Sequence, residues 1–181
     1  MNTYTVEQSA IPNLLTRNKV SAVLWLVVRL YLGYEWTYAG IEKITNPAWF
    51  GTSAGAALNG FVQGALSKTG GPHPDVQMWY ASFLQSAVHS NVMVWSNVVA
   101  VGELLVGLGL LVGLVTGVAA FFGFFMNLNF MLAGTVSMNP IWMLLAVGLM
   151  LSWRIAGQIG LDRYALPALK RWSHRTLYRT A

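Results

Sequence analysis

The chain has no cysteine, and only three of its 181 residues are histidine: His73, His89 and His174. Without thiols there can be no disulfide, no thiolate zinc site, no iron–sulfur cluster and no cysteine nucleophile. None of the histidines falls inside a long apolar run, so a haem held between two buried histidines is not expected. His73 and His89 are too far apart in the chain to form a metal motif, and no metal is expected. Charge is also scarce, at 9% of residues against 55% hydrophobic, whereas an ordinary soluble domain carries about 25% charged residues. The balance reads as a membrane protein, and redox chemistry, if any, must use a bound organic molecule.

The apolar residues gather in runs over roughly 20–41, 92–115, 117–136 and 139–157. Each is near the length a helix needs to cross about 30 Å of hydrocarbon. The expected fold is therefore all-α, an integral membrane four-helix bundle. A cleavable signal peptide is not expected, because Glu7, Pro12, Arg17 and Lys19 interrupt the start and the first span is too long for a signal core. Lys and Arg near span ends stay on the cytoplasmic side. Arg17 and Lys19 precede the first run, and Arg154, Arg163, Lys170, Arg171, Arg175 and Arg179 follow or close the last, against Lys43 and Lys68 on the other side. Both termini are expected to be cytoplasmic. The net charge of +5 then follows from topology and from anionic lipid heads, with no need for nucleic acid. Residues 1–19 read as a cytoplasmic segment, 20–157 as the transmembrane domain with an outer loop over 45–91, and 158–181 as a basic cytoplasmic tail.

The outer loop predicts two short amphipathic helices. Asn46-Pro47-Ala48-Trp49-Phe50 reads as a helix start, with Leu58, Phe61, Val62 and Ala65 at helical spacing and Gly70-Gly71-Pro72 as a stop. Asp75 then reads as the N-cap of a second helix with an apolar stripe through Val76, Trp79, Tyr80, Phe83, Leu84, Ala87 and Val88. The later connections, Leu114-Val115-Thr116-Gly117 and Ser137-Met138-Asn139-Pro140, are tight, which makes the last three spans antiparallel neighbours. The tail over 161–179 mixes Leu161, Tyr164, Leu169 and Trp172 with basic residues and suits the surface of a leaflet, with Pro167 interrupting it.

The costly residues are the polar ones inside the runs. Counting about 1.5 Å per residue puts Arg29, Glu103 and Asn127 each about 15 Å deep. On the first span Arg29, Gly33, Trp36, Gly40 and Lys43 share a face; on the second Glu103 lies with Ser96, Val99, Gly107 and Leu110; on the third Asn127 stacks with Ala120, Gly123 and Gly134. Small residues beside each polar one let it face a neighbouring helix. Arg29 and Glu103 are the expected ion pair, since a lone charge in hydrocarbon costs several kcal/mol. Glu35 lies on another face with Tyr31, Tyr38 and Glu42 and needs a different partner. Such a cluster serves either as a lock on helix register or as a functional site.

These residues carry a resemblance. Arg29-x3-Gly33-x6-Gly40-x2-Lys43, the segment Gly102-Glu103-Leu104-Leu105-Val106-Gly107 running on to Gly113, and the turn Gly113-Leu114-Val115-Thr116 resemble the DoxX/DoxD family of small four-helix membrane proteins. The stretches "NPAWF" and "YASFL" in the outer loop look like its DoxD-type branch, and the likeness covers roughly residues 25–155. It implies a respiratory, quinone-linked protein similar to a subunit of thiosulfate:quinone oxidoreductase, which oxidises thiosulfate to tetrathionate. On that reading Glu35, Arg29 and Glu103 are the catalytic candidates. Asn127, Trp36, Tyr31 and Tyr38 would surround a quinone, and Lys43, with Lys68, would attract an anionic donor. The expected partners are the bilayer, a quinone, and a second membrane or periplasmic subunit or further copies of the chain. The alternatives are a non-catalytic accessory subunit of a redox complex and a small-solute carrier, though no internal repeat of the transporter kind is visible.

Overall fold

The structure, a computed structural model, describes residues 19–177. The expected cytoplasmic segment with Arg17, and Arg179 at the far end, lie outside the described residues, as do the side chains of Lys19, Lys170, Trp172, His174 and Arg175. The described residues are helical and contain no strand. The helices are α1 (Lys19–Thr45), α2 (Ala56–Leu66), α3 (Met78–Phe83), α4 (Val92–Val112), α5 (Thr116–Leu132), α6 (Asn139–Leu151), α7 (Trp153–Ala156) and α8 (Asp162–Leu177). A widened π turn at Leu84–Val88 and a 3₁₀ turn at His89–Asn91 join α3 to α4. Met78–Val112 thus forms one helical rod of 35 residues, which by length and composition is long and apolar enough to cross a membrane. Helices α5 and α6 are apolar but shorter, at 17 and 13 residues.

Local chemistry sets several ends. Gly113 closes α4 at φ 65°, a conformation natural to glycine, and the Leu114 N–H reaches back to the Gly109 carbonyl at 3.0 Å. Pro140 sits in the first turn of α6, where its missing N–H is harmless. Other expected ends are displaced. The first loop helix begins at Ala56, with residues 46–50 in turns, because the Asn46 side chain accepts from the Ala48 N–H and closes a local turn instead. The second begins at Met78 behind Gln77, so Asp75 does not cap it. Helix α8 runs through Pro167, contrary to the expected interruption: one proline removes a single intrahelical bond, and its ring lies exposed.

The long helices pack α1 on α4, α4 on α5, α5 on α6 and α6 back on α1. Each neighbouring pair is antiparallel: Gly33 meets Leu111 where Gly40 meets Leu104, Gly102 meets Met126 where Gly109 meets Ala119, and Trp25 lies on Gly148 where Trp36 packs at a tilt against Trp142. The α1–α4 crossing is the closest, because Gly33, Gly40 and Gly107 remove the side chains that would hold the backbones apart; a Cβ on Gly107 would strike the Thr37 backbone. The interior holds Trp25, Leu32, Trp36, Val106, Leu110, Ala120 and Leu149. A second core caps one end, where Leu58, Val62, Val76, Tyr80, Leu84 and Val88 close over Ala133.

Candidate functional site

The spacing of α1 turns Arg29, Gly33, Trp36 and Gly40 inward, and all four are buried. Lys43 follows one turn later with its side chain 19% exposed. On α4 the inward row is Ser96, Ala100, Glu103, Gly107 and Leu110, and on α5 it is Ala120, Gly123 and Asn127. These rows match the expected faces except at two positions: Ala100 takes the inward place while Val99 is half-buried, and Gly134 lies in the turn beyond the end of α5.

The pairing differs from expectation. Lys43 Nζ lies 2.7 Å from Glu103 Oε2, forming the buried ion pair, while its ammonium also sits 5.1 Å from the Trp49 ring. Arg29 is elsewhere. Its Nη2 donates to the Ile159 carbonyl at 2.6 Å, and its guanidinium is wedged against Gly113 and Gly160 at the far end of α4. Depth counted from Lys19 misplaced it: the glycine crossing aligns Gly40 with Leu104 and Gly33 with Leu111, which leaves Arg29 beyond Gly33 at the level of the α4–α5 turn.

That turn is held by a residue the sequence reading passed over. The buried Asp162 carboxylate accepts from the Val115 N–H at 2.6 Å and the Thr116 N–H at 2.9 Å, satisfying the first donors of α5 and supplying opposite charge near Arg29. A signal was available, since Asp162 is the sole acidic residue after Glu103.

Toward the other end, Met126 lies against Gly102, so Glu103 and Asn127, each the next residue, share a level between α1, α4 and α5. Asn127 is completely buried, and both its Oδ1 and Nδ2 lack a hydrogen-bond partner among the described residues. Trp36 Nε1 is likewise buried and unpartnered, and it lies 3.2 Å from where a Cβ on Gly123, one turn before Asn127, would stand. Buried donors and acceptors left unmade cost about 1–3 kcal/mol each, so this cluster is disposed to hold a polar guest.

The remaining candidates are not brought there. Tyr31 is 39% exposed and its Oη accepts from Trp142 Nε1 at 3.2 Å; Tyr38 is 60% exposed and stacks on Tyr34; Glu35 is half-buried on the same outer side of α1. Neither expected anion-attracting lysine is free: Lys43 is matched by Glu103, and Lys68 Nζ donates to the Gly134 carbonyl at 2.7 Å. Asn129, facing away from Asn127, accepts from Tyr80 Oη at 3.0 Å and ties α5 to α3.

No group of three His, Asp or Glu residues able to hold a metal occurs among the described residues. No curated protein and no solved structure matches the chain. The family model described as the TQO small subunit DoxD, TQO being thiosulfate:quinone oxidoreductase, matches residues 24–180. The chain therefore belongs to the DoxD family, membrane proteins that form the small subunit of that oxidoreductase.

Proposed function

We propose that this chain is a quinone-linked subunit of a thiosulfate-oxidising membrane complex, with α1, α4, α5 and α6 as four spans and both termini cytoplasmic. The antiparallel ring of helices supports the topology, as do exposed apolar side chains such as Val27, Leu105, Phe122 and Leu144 around it. Arg154, Arg163 and Arg171 lie near the end opposite to Lys43 and Lys68, as the distribution of basic residues in membrane proteins requires.

The observation that carries the reading is that Asn127 and Trp36 Nε1 are each buried without a hydrogen-bond partner, Asn127 near the level of Glu103 in the Lys43–Glu103 ion pair and Trp36 against Gly123, one turn from Asn127. A quinone supplies an acceptor for two electrons and two protons, and its carbonyl oxygens suit the donors left over here. Trp36 Nε1 and Asn127 Nδ2 would donate to a carbonyl and orient the ring. Glu103 would hold a proton, and the partly exposed Lys43 would keep its carboxylate in contact with the aqueous end of α1. Two thiosulfates joining through a sulfur–sulfur bond release two electrons and no proton, so they would meet the electron demand while the two protons would come from water by way of Glu103. With both outer lysines engaged, we assign thiosulfate capture to the partner subunit.

Asn127→Leu tests this. It removes an unsatisfied amide, so the protein should fold at least as well, while quinone reduction by the assembled complex should fall by about tenfold or more, the loss expected for a donor used on the reacting molecule. Unaltered turnover would remove the site. A non-catalytic accessory role is the second reading, favoured by Met78 and Trp79, 67% and 62% exposed on the cap, which suit docking against another subunit.

A further inference from the structure

A groove of about 510 Å³ runs between α3, α4 and α5, within the roughly 300–1,000 Å³ usual for small-molecule sites. We infer that it holds the isoprenoid chain of a quinone and runs from the lipid-facing surface to within one side-chain layer of Trp36 and Asn127. The inference rests on the quinone-linked reading and adds where the molecule enters and what its tail touches.

Three features select that occupant. No charged residue lines the groove, so a phospholipid would bring its phosphate to a surface with no basic side chain to meet it. The mouth is open and apolar: Val98, Phe122 and Phe125 are each at least half exposed, and no described residue covers them. The floor, made by Gly102, Val106 and Met126, is the back wall of the polar cluster. Met126 precedes Asn127 and Gly102 precedes Glu103, and a Cβ on Gly123 would stand 3.2 Å from both Val106 Cγ1 and Trp36 Nε1. An apolar tail lying in the groove therefore has its polar end one side-chain layer from the unpartnered donors. The Met126 thioether, packed against Gly102, is the flexible part of that layer. At the groove's other polar spot, Tyr80 Oη already donates to Asn129, which leaves less to compete for the headgroup.

The test uses the full chain in lipid nanodiscs with an azido-benzoquinone carrying a two-isoprene tail, illuminated and mapped by peptide mass. Label is expected within α4 or α5 on the groove side, displaced by unlabelled long-tailed quinone and not by added phosphatidylglycerol. Gly102→Phe fills the floor, with room for its Cβ at 3.7 Å from the Met126 sulfur. It should lower labelling about tenfold, the effect of losing roughly two buried methylenes of contact. Val98→Trp, at an exposed position of the mouth, should do the same and serves where Gly102→Phe does not fold. Leu144→Phe, 69% exposed on α6, should leave labelling unchanged. Label on α6, or equal displacement by phosphatidylglycerol, overturns the groove. Labelling needs no electron donor, so a protein labelled in the groove that never reduces quinone retains this inference and refutes the catalytic reading, and turnover without groove labelling does the reverse.

Discussion

Replacing Lys43 by methionine keeps the length and apolar stem of the side chain and removes its charge, stranding the Glu103 carboxylate, which is 1% exposed. Breaking a buried pair by deleting one partner costs about 3–5 kcal/mol. The reciprocal change, Glu103→Gln, should cost less, about 1–2 kcal/mol, because the Lys43 ammonium can swing on its stem toward water while the amide keeps part of the contact. The double variant removes both charges and should fall short of the summed costs by at least about 1.5 kcal/mol. The assay is equilibrium unfolding in mixed micelles, followed by tryptophan fluorescence, over all four proteins. A coupling under about 0.5 kcal/mol would mean that the 2.7 Å contact does not hold the pair together, and the site built around it would fall. A second cycle, Arg29→Leu with Glu103→Gln, should be additive within about 0.5 kcal/mol, because Arg29 lies level with Gly113, about 15 Å along α4 from Glu103.

Gly107→Ala should destabilise by about 1–3 kcal/mol in the same assay, because the new methyl meets Thr37 backbone and the helices must part; an unchanged midpoint would disprove the close crossing. Asp162→Ala removes the acceptor from two α5 N–H groups and should cost about 1–2 kcal/mol, with faster amide exchange at Val115 and Thr116 as its local signature. Tyr80→Phe loses the hydroxyl bond to Asn129 and should cost about 1 kcal/mol. Its effect on exchange should be confined to α3 and the end of α5.

Helix faces were legible from residue spacing because the 3.6-residue period is local. Arg29, Gly33, Trp36 and Gly40 needed only α1 itself to be assigned to one side, and Glu103 and Asn127 only their own helices. The glycine-rich crossing was legible for the same reason, since a helix without side chains on one stripe must be approached there. The partner of Glu103 was not. Depth counted from a flanking lysine assumes that the helix enters the bilayer at that residue, whereas register is set where Gly40 meets Leu104 and Gly107 meets Thr37. Arg29 and Lys43 stand about 21 Å apart along α1, so the register of the crossing decides which of the two cations reaches Glu103.

Composition, period and the placement of basic residues thus determined by themselves that the chain is helical, rich in apolar surface and drawn to a membrane, because those properties belong to single segments. Only tertiary structure decided that Lys43 reaches Glu103, that Arg29 and Asp162 fasten the opposite end, and that Asn127 and Trp36 are left with unmade hydrogen bonds. Each of these depends on how two helices slide and rotate against one another, and that is settled by side-chain volumes from both.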